Sequence, residues 1–215
     1  MSKKKISQTI IDAGVIAVIR ITDLSKLMPA VEALRAGGIR CIEITFTVPD
    51  TARVIKKLAS RFSGDLLVGA GTVLTKKNAV QAVKAGAQYL VSPTNWPGLI
   101  ELCKEHDVVS IPGAFTPTEI STAWNAGADF VKVFPVNAVG PHYIEDVRRP
   151  LPELRLIPTS GITVDNAADY IKAGACAIGI GSQLTDPRLI EQGDYSTLTR
   201  MAARLVQNIK EAREN

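Results

Sequence analysis

The chain is expected to fold as an α/β protein, a (β/α)8 TIM barrel with an N-terminal helix. Three observations carry this expectation. Short apolar runs alternate with helix-length amphipathic stretches, four of those stretches end in Ala-Gly, and the runs number eight, enough to close a parallel barrel. The runs are residues 15–19, 39–46, 66–69, 89–92, 108–111, 130–134, 154–158 and 176–180.

An amphipathic segment starting near Ile6 precedes the first run and supplies the N-terminal helix. Ala36-Gly37, Ala85-Gly86, Ala126-Gly127 and Ala173-Gly174 each close a helix-like stretch, because glycine accepts the left-handed conformation that ends helices. Thr116-Pro117-Thr118-Glu119 reads as a cap, a first-turn proline and an acidic residue at the positive helix end. Thr163-Val164-Asp165-Asn166 starts another helix in the same way. The last helix, 197–214, carries Leu198, Met201, Leu205 and Ile209 at helical spacing, which is a core face. An open doubly wound sheet is the structural rival, but no Gly-x-Gly-x-x-Gly turn follows the first run. Without a linker or low-complexity segment, residues 1–215 are expected to form one domain.

Composition narrows the function. With 46% hydrophobic and 21% charged residues, the chain has the balance of a soluble globular protein. No apolar run approaches the roughly 20 residues of a membrane span, and no signal-peptide pattern follows Lys3-Lys4-Lys5, so a cytoplasmic protein without membrane contact is expected. A net charge of +4 with scattered basic residues and few aromatics gives no support to a nucleic-acid surface. It suits an anionic metabolite equally well. Cys41, Cys103 and Cys176 lack metal-like spacing, and Cys41 and Cys176 read as small core residues. Two histidines, His106 and His142, stand in unrelated contexts, so neither a metal site nor a cofactor is expected.

The chemistry should sit at the carboxyl ends of the strands. The polar residues there are Arg20, Glu43, Thr45, Thr47, Thr72, Ser92, Lys132, Thr159, Ser160 and Ser182. Lys132 and Glu43 stand out as charges inside apolar runs, Phe130-Val131-Lys132-Val133-Phe134 and Cys41-Ile42-Glu43-Ile44-Thr45-Phe46. A buried lysine is normally expelled, paired or kept neutral, and a neutral amine is a nucleophile toward carbonyl carbon. Two readings compete: a structural Lys–Glu ion pair, or an amine nucleophile with a carboxylate acid/base. The position at a barrel's active end favours the second. Register is the difficulty. Counted from its Ala-Gly, Glu43 stands one place further along than Lys132, so a strict pleat aims them at opposite faces unless a bulge or the extra Gly38 corrects it.

Two glycine-bearing loops, Pro158-Thr159-Ser160-Gly161-Ile162 and Gly179-Ile180-Gly181-Ser182, follow the seventh and eighth strands, where barrels bind phosphate. Gly69-Ala70-Gly71-Thr72 offers backbone access and a hydroxyl for a carboxylate; read alone, it is a tight turn with a helix-capping threonine.

In order and spacing, Glu43-Ile44-Thr45-Phe46-Thr47, Gly69-Ala70-Gly71-Thr72, Ser92-Pro93, Ile111-Pro112-Gly113, Lys132-Val133-Phe134-Pro135 and Pro158-Thr159 resemble the class I 2-keto-3-deoxy-6-phosphogluconate (KDPG) aldolases, which overlap with the 4-hydroxy-2-oxoglutarate (KHG) aldolases. The resemblance implies a metal-independent lyase of carbohydrate metabolism, in the Entner-Doudoroff pathway, built as a homotrimer. Its products are pyruvate and glyceraldehyde 3-phosphate, or pyruvate and glyoxylate from 4-hydroxy-2-oxoglutarate. By resemblance, Lys132 is the Schiff-base lysine and Glu43 the proton shuttle, Thr72 holds the pyruvate carboxylate, Pro93 and Phe134 shape the pocket, and Gly161, Gly181 and Ser182 receive the phosphate. The chain departs from the family at Thr47, where some members carry a carboxylate-binding arginine, and at Ser160, where many carry glycine. Arg20 either substitutes for that arginine, reaches the phosphate or faces solvent. The rival readings are a phosphosugar isomerase or thiamin-phosphate-synthase-like transferase on the same barrel, and a non-catalytic barrel that binds a phosphorylated metabolite.

Overall fold

The structure, a computed structural model, describes residues 1–214. Its strands are β1 (Val15–Ile19), β2 (Cys41–Thr45), β3 (Leu67–Gly71), β4 (Tyr89–Val91), β5 (Val109–Ile111), β6 (Gly113–Ala114), β7 (Val131–Val133), β8 (Leu156–Pro158) and β9 (Ile178–Ile180). The helices are α1 (Lys3–Ala13), α2 (Leu24–Ala36), α3 (Thr51–Arg61), α4 (Lys76–Lys84), α5 (Leu99–Glu105), α6 (Pro117–Asn125), α7 (Pro141–Arg148), α8 (Ala167–Lys172), α9 (Pro187–Gln192) and α10 (Tyr195–Glu214).

Every strand pairing is parallel, as strand–helix alternation demands. One sheet has the order β5-β4-β3-β2-β1-β9 and the other the order β6-β7-β8. Only Pro112 separates β5 from β6. It has no N–H to give, so the segment before it pairs with β4 and the segment after it with β7. The Pro112 carbonyl still accepts from Lys132 N–H at 2.9 Å. At the other seam, Thr159 bridges Gly179, and Cys176 N–H donates to Leu156 O at 3.1 Å. The six-stranded sheet is the curled part of the expected barrel that the pairings define.

Four glycines in the left-handed region end α2, α4, α6 and α8: Gly38, Gly86, Gly127 and Gly174, at φ of 96°, 94°, 91° and 97°. The residue after each bonds back to the helix: Ile39 N–H to Leu34 O, Ala87 to Ala82, Ala128 to Ala123 and Ala175 to Tyr170. Five places beyond these glycines stand Glu43, Val91, Lys132 and Gly179. The cap that sets register in the first repeat is therefore Gly38 and not Gly37, whose φ is −76°. Counted from Gly38, Glu43 and Lys132 are in phase, which removes the mismatch. Gly37 answers a different need, since a Cβ there would stand 2.5 Å from both Ala202 Cβ and Thr199 O of α10.

The apolar interior has two parts. The larger packs the outer strand faces against the helices. The smaller gathers Ile16, Cys41, Leu67, Tyr89, Phe130 and Ile157 from the inner faces, and Ile6 and Ile10 of α1 pack against them. Ser2 caps α1, and Arg213 of α10 donates to Ile11 O, Asp12 O and Cys176 O at its other end. Thr116 and Glu119 form the capping box expected for α6. The final helix buries Leu198, Leu205 and Ile209, with Met201 half-buried. Among the described residues, no helix is long and apolar enough to cross a membrane.

Candidate active site

Among the described residues, Lys132 and Glu43 are the only buried Lys, Arg, Asp or Glu side chains, 5% and 2% exposed. Each stands two residues beyond a member of the inner cluster, Phe130 and Cys41, so strand alternation turns both into the same interior. Neither forms an ion pair among the described residues. This departs from the structural ion pair weighed above. A buried charge without an ion-pair partner is costly, and the usual compensation is a ligand or a reaction. Lys132 Nζ lies 5.3 Å from the centre of the Phe134 ring, and the lysine's strand neighbours are Gly113 and Ile157.

Glycines make the room. A Cβ at Gly71 would stand 1.7 Å from Glu43 Oε1, and one at Gly69 would stand 2.1 Å from the Tyr89 ring. Gly69-Ala70-Gly71 is thus part of β3 and not the tight turn its composition suggested. The cap of α4 is Thr75, whose hydroxyl accepts from Asn78 N–H, so Thr72 is no helix cap. Thr72 follows β3 at φ 55°, half-buried. Tyr89 O–H donates to Ile42 O at 2.5 Å. Burial, reinforced by Cys41 and by the charge of Glu43, pushes its phenol well above the usual range. Beyond Glu43, buried Thr45 donates to Ile19 O at 3.3 Å and shares a 2.6 Å hydrogen bond with exposed Thr47.

A cavity of about 220 Å3 opens beside Lys132's strand, lined by Phe134, Thr159, Ser160, Gly161, Gly181, Ser182 and Arg20 among others. Seven of the expected substrate-binding residues are therefore brought together. Thr47, Thr72 and Pro93 do not line it. Pro93 lines a neighbouring cleft of about 440 Å3 with Gly113, Phe115 and Glu119, and Phe134 stands between the two. No acceptor among the described residues takes the backbone N–H of Ser160, Gly161, Gly181 or Ser182. Arg20 is exposed and forms no ion pair among the described residues. Free N–H donors beside an unpaired guanidinium make an anion cradle. Among the described residues, no three His, Cys, Asp or Glu side chains converge as metal ligands do.

Two contributors escaped the sequence reading. Gly113 pairs with Lys132 and allows the Pro93 backbone to approach, since a Cβ there would stand 2.2 Å from Pro93 C. The Ile111-Pro112-Gly113 motif was its available signal. Asn137, in the 3-10 turn Val136–Ala138 after β7, accepts from Ser160 Oγ at 3.1 Å. Nothing local in the sequence announces that contact.

A parallel α/β sheet that buries a lysine and a carboxylate without ion-pair partners near the carboxyl ends of its strands, next to an anion cradle, has the layout of an enzyme. The chain belongs to the KDPG and KHG aldolase family, which it matches over residues 6–201. It is 36% identical to the 2-dehydro-3-deoxy-phosphogluconate aldolase of Treponema pallidum, over 90% of this chain and 92% of that one. It is 31% identical to the KHG/KDPG aldolase of Escherichia coli K12, over 96% and 98%. A solved KDPG aldolase of Legionella pneumophila, with pyruvate captured as a covalent carbinolamine, superposes with a TM-score of 0.86 at 28% identity, over 93% of this chain and 97% of that one.

Proposed function

We propose that this protein is a class I aldolase that cleaves 2-keto-3-deoxy-6-phosphogluconate to pyruvate and glyceraldehyde 3-phosphate through an imine on Lys132. The observation that carries this reading is the pair of buried charges without ion-pair partners, Lys132 and Glu43, whose neighbours Phe134 and Val18 line the anion cradle. On this reading, residues 1–215 form one domain. The seam contacts at Pro112 and at Thr159–Gly179 support closure of the two sheets into an eight-stranded barrel.

Lys132, having given up its proton, attacks the C2 carbonyl, and the carbinolamine takes up a proton and loses water to give the iminium. The iminium accepts the electron pair of the C3–C4 bond as Glu43, through a water, takes the proton of the C4 hydroxyl. The aldehyde departs and an enamine remains. Glu43 returns the proton to C3, and hydrolysis frees pyruvate and the amine. The Phe134 ring shields the lysine, and a dry wall strengthens each electrostatic contact. Arg20 faces the cradle and binds phosphate at the far end of the substrate. Thr47, tied to Thr45, and Thr72 lie outside the cradle and are assigned to the carboxylate end. The cradle favours a phosphorylated substrate. 4-Hydroxy-2-oxoglutarate satisfies the lysine chemistry but offers the cradle only a shorter, singly charged carboxylate in place of a phosphate, so it is the weaker substrate. A cytoplasmic homotrimer is carried by the family resemblance, and sedimentation tests its size.

Borohydride trapping with pyruvate, followed by peptide mass spectrometry, tests the reading. A reduced pyruvyl adduct on Lys132 is expected. Folded protein without an adduct overturns the mechanism in favour of an isomerase, a transferase or a binding protein.

A further inference from the structure

Ser160 occupies a conformation that an L residue rarely adopts, with φ of 90°, and Gly161 follows at 70°. Both line the anion cradle and both have free backbone N–H groups among the described residues. One glycine at the second position is ordinary; a serine at the first needs something to hold it. Its hydroxyl donates to Asn137 Oδ1 at 3.1 Å. The same asparagine packs so closely that a Cβ on Gly161 would stand 2.5 Å from its Cβ. The neighbouring Val136 N–H donates to Thr159 O at 3.1 Å, so the turn after β7 grips the loop after β8 at two points. On its far side, Asn166 Nδ2 donates to Gly161 O at 3.1 Å.

We propose that Asn137 is a positioning residue that sets specificity for phosphorylated substrates. By holding Ser160 at positive φ, it keeps the N–H groups of Ser160 and Gly161 available to the phosphate. Asn137 is exposed and does not line the cavity, so it acts through Ser160 and not on the reacting atoms. The serine proton is committed to Asn137, which leaves backbone N–H groups as the donors of this loop. The clasp also ties the cradle to the segment that carries Lys132. This inference rests on the aldolase reading for its substrates but not for the anion site itself.

The test compares wild type, Asn137→Ala and the double variant Asn137→Ala/Ser160→Gly. Loss of one such hydrogen bond predicts a KM for 2-keto-3-deoxy-6-phosphogluconate raised about three- to tenfold, with kcat little changed. KM for 4-hydroxy-2-oxoglutarate, which brings a single carboxylate in place of the phosphate, should move less than that for the phosphorylated substrate. Glycine adopts φ near 90° without help, so the double variant should return to about wild-type KM. An unchanged KM in Asn137→Ala overturns the proposal, as does an equal loss on both substrates or a failure of Ser160→Gly to rescue. Inorganic phosphate, titrated calorimetrically, separates the two levels. If the wild type gives no pyruvyl adduct but Asn137→Ala binds phosphate more weakly, the aldolase reading fails and the clasp stands.

Discussion

The two ends of the same parallel strands carry opposite chemistry. At the amino end, Ile16, Cys41, Leu67, Tyr89, Phe130 and Ile157 fill the interior, and Ile6 and Ile10 of the N-terminal helix close it. Two residues further along those strands stand Val18, Glu43, Gly69, Val91, Lys132 and Thr159, on the same inner faces. There the large apolar side chains give way to one glycine, a threonine and two charges without ion-pair partners, while Val18 and Val91 stay apolar. The amino end binds the strands together through apolar burial. The carboxyl end instead sets a buried carboxylate and a buried amine on the inner faces, next to Val18, Phe134 and Thr159 of the cavity wall.

That division can be broken from either end. Lys132→Ala should abolish the pyruvyl adduct and lower turnover by more than about a thousandfold, measured by coupled assay; residual wild-type turnover would move the nucleophile elsewhere. Glu43→Gln should cut kcat by about 10²–10⁴ while the adduct on Lys132 still forms, read by trapping and steady-state kinetics together. Gly71→Ala places a methyl where Glu43 Oε1 now lies and should cost about a hundredfold in kcat, with little change in melting temperature. At the other end, Ile10→Ala should lower unfolding free energy by about 2–5 kcal/mol in denaturant titration and leave kcat/KM unaltered at 25 °C.

The smallest effect concerns the buried thiols. Burial pushes Cys41 and Cys103 up to about 12, so the folded state binds more protons than the unfolded one above the ordinary thiol value. Their contribution to stability is present below pH 9 and is lost as pH rises through about 12. Native protein at pH 8 should resist a thiol reagent at both positions, and unfolded protein should expose all three cysteines. Rapid native labelling at Cys41 would show that the amino end opens.

Much of this was legible in the sequence. Lys132 and Glu43 announced themselves because charge inside an apolar run is expensive, and the Ala-Gly pairs marked where helices end. Their relative register was not legible. Whether Gly37 or Gly38 takes the left-handed conformation is decided by how closely α2 approaches α10 at Ala202, a contact between distant segments. Gly69 and Gly71 were ambiguous for a similar reason. Glycine signals a turn locally, and only the packed Tyr89 ring and Glu43 carboxylate show that it makes room inside a strand. Asn137 had no signature at all, since its role depends on the conformation of Ser160 in another loop.

The sequence alone determined the alternation of strands and helices, the helix ends and the two charges destined for the interior. These follow from backbone preference and apolar period, which act over a few residues. The tertiary structure decided which residues share the cavity. Arg20, Phe134, Thr159 and Ser182 come from widely separated strand ends, and the pairing of β1 with β9 and of β7 with β8, joined by the Thr159–Gly179 bridge, brings them to one wall. The physical reason is that burial and hydrogen bonding between distant segments, unlike local propensity, depend on the whole chain having folded.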